Sequence, residues 1–380
     1  MTNEEIFDRG AALRKLGRRL DRSRGGDEPR RNYDAVAPVA RSLIDNARAG
    51  IPKLKPVHFD FVWDGRVNAF AFREGDTYFI GLTSGALVAL QIVFYRILSD
   101  ARLLPDIGDP NLERSDLSVL TALSPDAEAM YQAGMRPQLP QTEPRRAFAR
   151  ALFEQAFMFL VGHELAHITR GHVDYLDAKC GTPFIAEVGW TNTKAPGLME
   201  RQAIEMDADR RSTWSRIDSL RLTMAAGIPF PWTDRAPSAV ELIHDWALST
   251  GWLFRLFGDQ KFAGVDLSTI PYPPVPLRRA LAFNTGLLAV RWIWDAALLP
   301  TATAAVQQAN LETELTFTAI TGEPTSVEGL SDAFGQLGKE HALRLWDYWN
   351  KNVADRVAPY SLEPDPPQTA PTGPDAVGFI

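Results

Sequence analysis

His163-Glu164-Leu165-Ala166-His167-Ile168-Thr169-Arg170-Gly171-His172 decides the reading of this chain, and it holds three of the six histidines present. The first five residues spell H-E-x-x-H, and residues 151–162 before them are apolar and free of proline. On a helix, residues four apart project from one face, about 6 Å apart along the axis. His163 and His167 can then offer two imidazole nitrogens to one metal ion. Glu164 sits beside them, close enough to polarise a metal-bound water. Such a motif arises by chance in roughly one chain in a hundred of this length, so its surroundings must separate a metal site from a satisfied pair of core histidines. They favour the metal. Glu164 follows Phe157, Met158, Phe159, Leu160 and Val161, and burying a carboxylate there is costly without a partner.

A third ligand six residues after His167, with a glycine midway, is excluded, because those positions are Val173 and Arg170. The alternative is a carboxylate from a later helix. Glu205-x-x-Ala208-Asp209 offers one, since Glu205 and Asp209 share a helical face one turn apart. Glu205 would complete the protein's ligands and Asp209 would accept the ring N–H of a ligating histidine, fixing its tautomer. A solvated acidic face paired with Arg201 and Arg210 is the structural alternative.

These residues resemble the gluzincin metallopeptidases of the HtpX and CAAX prenyl protease type, whose motifs run HExxHxxxxH and then ExxAD. Val67-Asn68-Ala69-Phe70-Ala71-Phe72 resembles the family's NAF strand, which implies that Asn68, Ala69 and Phe70 pair with extended substrate above the cleft. Tyr272-Pro273-Pro274-Val275-Pro276-Leu277-Arg278 resembles its HPPxxxR segment, with Tyr in place of His, and implies Tyr272 and Arg278 as donors to the oxyanion. The chain departs from that family in lacking a membrane span: residues 87–98, 246–257 and 287–299 all fall short of the roughly 20 apolar residues a bilayer needs. It also carries a long insertion before the metal helix. In that arrangement it is similar to the phage-exclusion (Lit-type) peptidases, which implies a latent protease in bacterial stress or phage defence, with an activating protein partner. The motif-bearing segments cover about a third of the chain.

The 380 residues are 45% apolar, enough for one large core or two ordinary ones. A net charge of −7 without any unmixed basic run argues against nucleic-acid binding. The lone cysteine, Cys180, excludes an internal disulfide, and the polar, acidic N-terminus carries no signal-peptide core, so a cytoplasmic location is expected.

Helical periodicity covers 1–24, 32–49 and 85–103, and short alternation marks three strands within 57–82. A proline-rich insertion, 105–147, precedes a metal helix over 145–176 for which Gly171 is a candidate end, and it is placed to serve as a lid. The Glu205 helix closes a metal-site region spanning 145–225. The tryptophans of 232–360 read as core packing. His172 falls off the ligand face and reads as a helix-end or supporting group, and Glu241-x-x-His244 reads as structural. The organisation expected is a charged helical arm over 1–31, one zincin-like metallopeptidase domain over 32–362, and a disordered tail over 363–380.

The fold expected is α+β, a small sheet packed on the H-E-x-x-H helix with a large helical remainder. Its chemistry would be hydrolysis of a protein or peptide substrate. Zn²⁺ would be held by His163, His167 and Glu205, and Glu164 would act as proton acceptor. The alternative is a metal-bound sensor or interaction protein without turnover.

Overall fold

The computed structural model describes residues 1–363 apart from 15, 21–26, 121–122, 124–125, 187–196, 231, 234–235, 259–260 and 324–326, and only the backbone of 27–32 and 131. Of the tail expected over 363–380, all but Glu363 lies outside the described residues.

The chain is a mixed α+β fold. In chain order its elements begin with α1 (Asn3–Leu13), β1 (Arg18–Arg19), α2 (Asp27–Gly50), β2 (Val57–Trp63), β3 (Ala69–Glu74), β4 (Thr77–Thr83) and α3 (Ser84–Leu98). There follow α4 (Ala127–Gln132), α5 (Glu143–Thr169), α6 (His172–Cys180), β5 (Phe184–Ala186) and α7 (Leu198–Ala225). The remainder is α8 (Ala239–Phe257), α9 (Val275–Ala289), α10 (Leu299–Thr321), α11 (Glu328–Phe334), α12 (Gln336–Tyr348) and α13 (Ala354–Val357).

The five strands form one mixed sheet in the order β1-β2-β4-β3-β5. Strands β3 and β4 are an antiparallel hairpin with Phe72 opposite Phe79, and β2 runs parallel to β4. Alternation along β3 sends Ala69 and Ala71 into the main core and Phe70 and Phe72 to the opposite face. On that second face Phe7 and Ala11 of α1 close a smaller core with Val62, Phe79 and Phe184. The rings of Phe72 and Phe79 stack there at 4.7 Å. The predicted helix over 1–24 thus stops early. After α1 the chain turns, and Arg18 and Arg19 pair with Trp63 and Val62 of β2, because Phe7, Ala11 and Leu16 must face the sheet.

Helix α5 is the axis of the molecule and packs against β3 and β4, α2, α3, α7 and α8. No helix among the described residues is long and apolar enough to cross a membrane.

The insertion expected to serve as a lid is tied down at both ends. Arg145, in the first turn of α5, is fully buried and donates to the carbonyls of Leu98, Asp100, Leu103, Leu104 and Ile107. Leu104 takes a left-handed conformation, φ 47°, to deliver its carbonyl. Glu113 accepts from the backbone N–H groups of Gln141 and Thr142. The start and end of the insertion are therefore knotted around the N-terminal end of α5, about 27 Å along the axis from His163. The charged donor satisfies carbonyls that an irregular segment would otherwise bury unpaired.

His244 of α8 lies 3.0 Å from Glu312 of α10 and 3.3 Å from Asp245, so it joins two helices in the structural role read from the sequence. Burial would lower its pKa, but hydrogen bonds to Asp245 and Glu312 outweigh burial and raise it to about 9.

Two outcomes are expected. Arg145→Met should lower unfolding stability by roughly 3–5 kcal/mol in urea titration and expose 100–113 to limited proteolysis, while leaving metal binding intact. Because the folded value of His244 lies above the ordinary one of about 6.5, its stabilisation is complete below about pH 6.5. It is lost as pH rises through about 9. The thermal midpoints of wild type and His244→Gln should differ at pH 6 and converge at pH 10.

Candidate metal centre

Helices α5 and α7 carry the site and approach closely beside it. A Cβ on Gly162 would lie 2.8 Å from Ser212 Oγ, and that hydroxyl donates to Phe159 O across the same contact. One turn on, His163 and His167 of α5 face Glu205 of α7, and their ligand atoms lie within 4.8 Å of one another. The two Nε2 atoms are 3.0 Å apart, and Glu205 Oε2 is 3.3 Å from His163 Nε2. His163, His167 and Glu205 are 1%, 0% and 1% exposed. The three ligands predicted from sequence are thus brought together.

Neighbouring carboxylates and imidazoles set the tautomers. Asp209 Oδ1 lies 2.9 Å from His163 Nδ1. A carboxylate only accepts, so Nδ1 carries a proton there, which leaves Nε2 as the nitrogen able to turn a lone pair to a cation. Arg278 donates from Nε and Nη2 to Asp209 at 2.7 and 2.8 Å. Burial on its own would raise the Asp209 carboxyl. Arg278, assisted by His163, instead holds it well below the ordinary carboxylate range.

His167 is supported differently. Its Nδ1 lies 3.0 Å from Nδ1 of His172, whose Nε2 is 3.2 Å from Asp207 Oδ2. Asp207 in turn accepts from Arg170 Nε at 2.8 Å. With Asp207 accepting, neutral His172 carries its proton on Nε2, so its Nδ1 accepts from His167 Nδ1–H. His167 Nε2 is then a lone pair as well. Burial, first, and then His163, His172 and Arg278 push His167 well below the ordinary imidazole value, so the neutral form holds.

Two lone pairs and a carboxylate therefore converge in a dry interior, an arrangement that repels itself and fits a cation. Tetrahedral coordination with Zn–N of about 2.0–2.1 Å places donors roughly 3.3 Å apart, close to the spacings seen here. The group suits a divalent ion with imidazole and carboxylate ligands.

The remaining predicted residues are placed as follows. Glu164 is fully buried in α5 next to His163. Arg278 has Nε and Nη2 on Asp209, with Nη2 4.0 Å from Glu205, so it braces the ligand set. Tyr272 donates its hydroxyl to Ala186 O, tying the segment before α9 to β5. Strand β3 differs from the open substrate-pairing edge expected: from Phe70 to Phe72 it is hydrogen-bonded to β4 on one side and β5 on the other. Ala69 is buried, and the Asn68 side chain accepts from the Ala69 N–H. The short strand β5 lies more than 100 residues away in sequence and closes that edge.

Sequence reasoning missed Asp207 and the link from His172 to His167. Gly171 separates α5 from α6 in a left-handed conformation, φ 78°, and a Cβ there would lie 2.4 Å from the Tyr360 carbonyl carbon. That break, unavailable to an unbroken helix, brings His172 back behind His167. Gly171 after the motif was the available signal. No known protein family, curated protein or solved structure matches the chain.

His167→Ala should abolish the binding of one metal ion per chain, measured by elemental analysis after gel filtration. Asp209→Ala should keep the fold by circular dichroism but weaken metal affinity about 10–100-fold in chelator competition. Unchanged affinity would return Asp209 to a structural role.

Proposed function

We propose that this chain is a latent, zinc-dependent endopeptidase of zincin-like architecture acting on a protein substrate. The observation that carries the reading is the convergence of two buried imidazoles and Glu205, with a second buried carboxylate, Glu164, next to His163 in the chain. Zinc held by His163, His167 and Glu205 would supply an acidified water and polarise the scissile carbonyl. Glu164 accepts the proton of the attacking water and returns it to the departing amine. With Arg278 engaged by Asp209, Tyr272 is the side chain assigned to donate to the oxyanion, which requires its hydroxyl to leave the Ala186 carbonyl. The resemblance of the H-E-x-x-H and E-x-x-A-D segments to gluzincins supports the same chemistry, and its implications of a protein partner that activates the enzyme and of a role in stress or phage defence belong to this reading.

One observation favours a second reading, a metal-bound sensor or interaction protein: every donor is buried, as in a site that only holds its ion. Turnover separates the two. Glu164→Gln should retain zinc and lose roughly 10²–10⁴-fold in cleavage rate. The measurement is proteomics of new protein termini in cells expressing each form. Equal patterns of termini from wild type and Glu164→Gln would overturn the peptidase reading and leave the sensor.

A further inference from the structure

We propose that His172 and Asp207 are positioning residues that act on the metal through His167, a relay separate from the carboxylate that supports His163. The inference rests on the metal-site reading above and deepens it.

Among the ligating histidines only His163 has a carboxylate directly behind it. The place behind His167 is occupied by a second imidazole, His172, itself fully buried, with Nδ1 to Nδ1 at 3.0 Å. A pair of neutral imidazoles in contact has two possible proton arrangements. One leaves His167 Nε2 bare and able to ligate, and the other puts a proton there and blocks it. Asp207 selects the first, since at 3.2 Å it can only accept from His172 Nε2. Arg170 holds Asp207 at 2.8 and 3.4 Å, so the carboxylate is both fixed and charged.

The relay is also fixed sterically. The ring of Trp349 meets His172 edge to face, 5.8 Å between centroids at 79°. Gly171 admits the turn on which His172 depends, with the Tyr360 carbonyl packed against it. Beside it, Leu362 N–H donates to Thr169 O, and Glu363 accepts from Thr169 and Arg211. The last described residues of the chain thus hold the corner from which the relay starts. A histidine kept only to fill space there would not need both nitrogens beside polar groups, Nδ1 at His167 and Nε2 3.2 Å from Asp207.

The test compares His172→Phe with His172→Asn in the full chain. Phe keeps a ring against Trp349 but cannot accept from His167. Asn retains an acceptor at the position of Nδ1. Zinc affinity measured by chelator competition should fall about 10–100-fold in the Phe variant and return most of the way in the Asn variant. A Phe variant that is folded and binds zinc like wild type would overturn the relay, as would an Asn variant no better than Phe. Wild-type protein that binds no zinc would instead remove the metal-site reading. If the Phe variant does not fold, ¹⁵N spectra of wild type decide: His172 protonated on Nε2 is required, and a proton on Nδ1 contradicts the proposal.

Discussion

Two imidazole lone pairs and a carboxylate are held within a few ångströms of one another where water is excluded, and the surrounding structure is organised to keep them there. Left alone, such a group would separate, protonate or hydrate. Both imidazoles are held against this from behind. His163 is fixed by Asp209 and Arg278, and His167 by His172, Asp207 and Arg170. Both arms end on an arginine, so each carboxylate stays charged and each imidazole keeps its proton on the outer nitrogen. A cation bound at the centre would relieve the repulsion that remains.

Two helices deliver all of this. Helix α5 is pinned at its start by Arg145 and at its end by Thr169, which bonds Leu362 and Glu363. Between those points it lies on the sheet, which α1 covers from the far side. Helix α7 carries Glu205, Asp207 and Asp209 and meets α5 at Gly162. The helical second half then supplies Arg278 from α9 and the Trp349 ring. Distant parts of the chain thus converge on one site through a few buried polar contacts.

The ligands were legible in the sequence because helical periodicity is a local property: positions 163 and 167, and 205 and 209, share faces wherever those helices lie. Asp207 was not, because a residue two positions on projects roughly 200° round the helix and so faces another surface. Its role depends on Gly171 turning His172 back, a tertiary event that spacing does not encode. The strands β2, β3 and β4 were readable from alternation. The edge strands β1 and β5, of two and three residues, were not, since such short pieces have no period to detect. Proline content marked the insertion but not how its ends are held. Arg145, whose guanidinium organises it, gave no sign in the sequence that it would be buried.

X-ray absorption at the zinc edge of purified, zinc-loaded wild-type protein tests the central claim most directly. One zinc per chain is expected, with imidazole nitrogens and carboxylate or water oxygens at about 2.0–2.2 Å, and no bound zinc to give that spectrum in His163→Ala or His167→Ala. A first shell containing sulfur, or a spectrum unchanged in both variants, would contradict it.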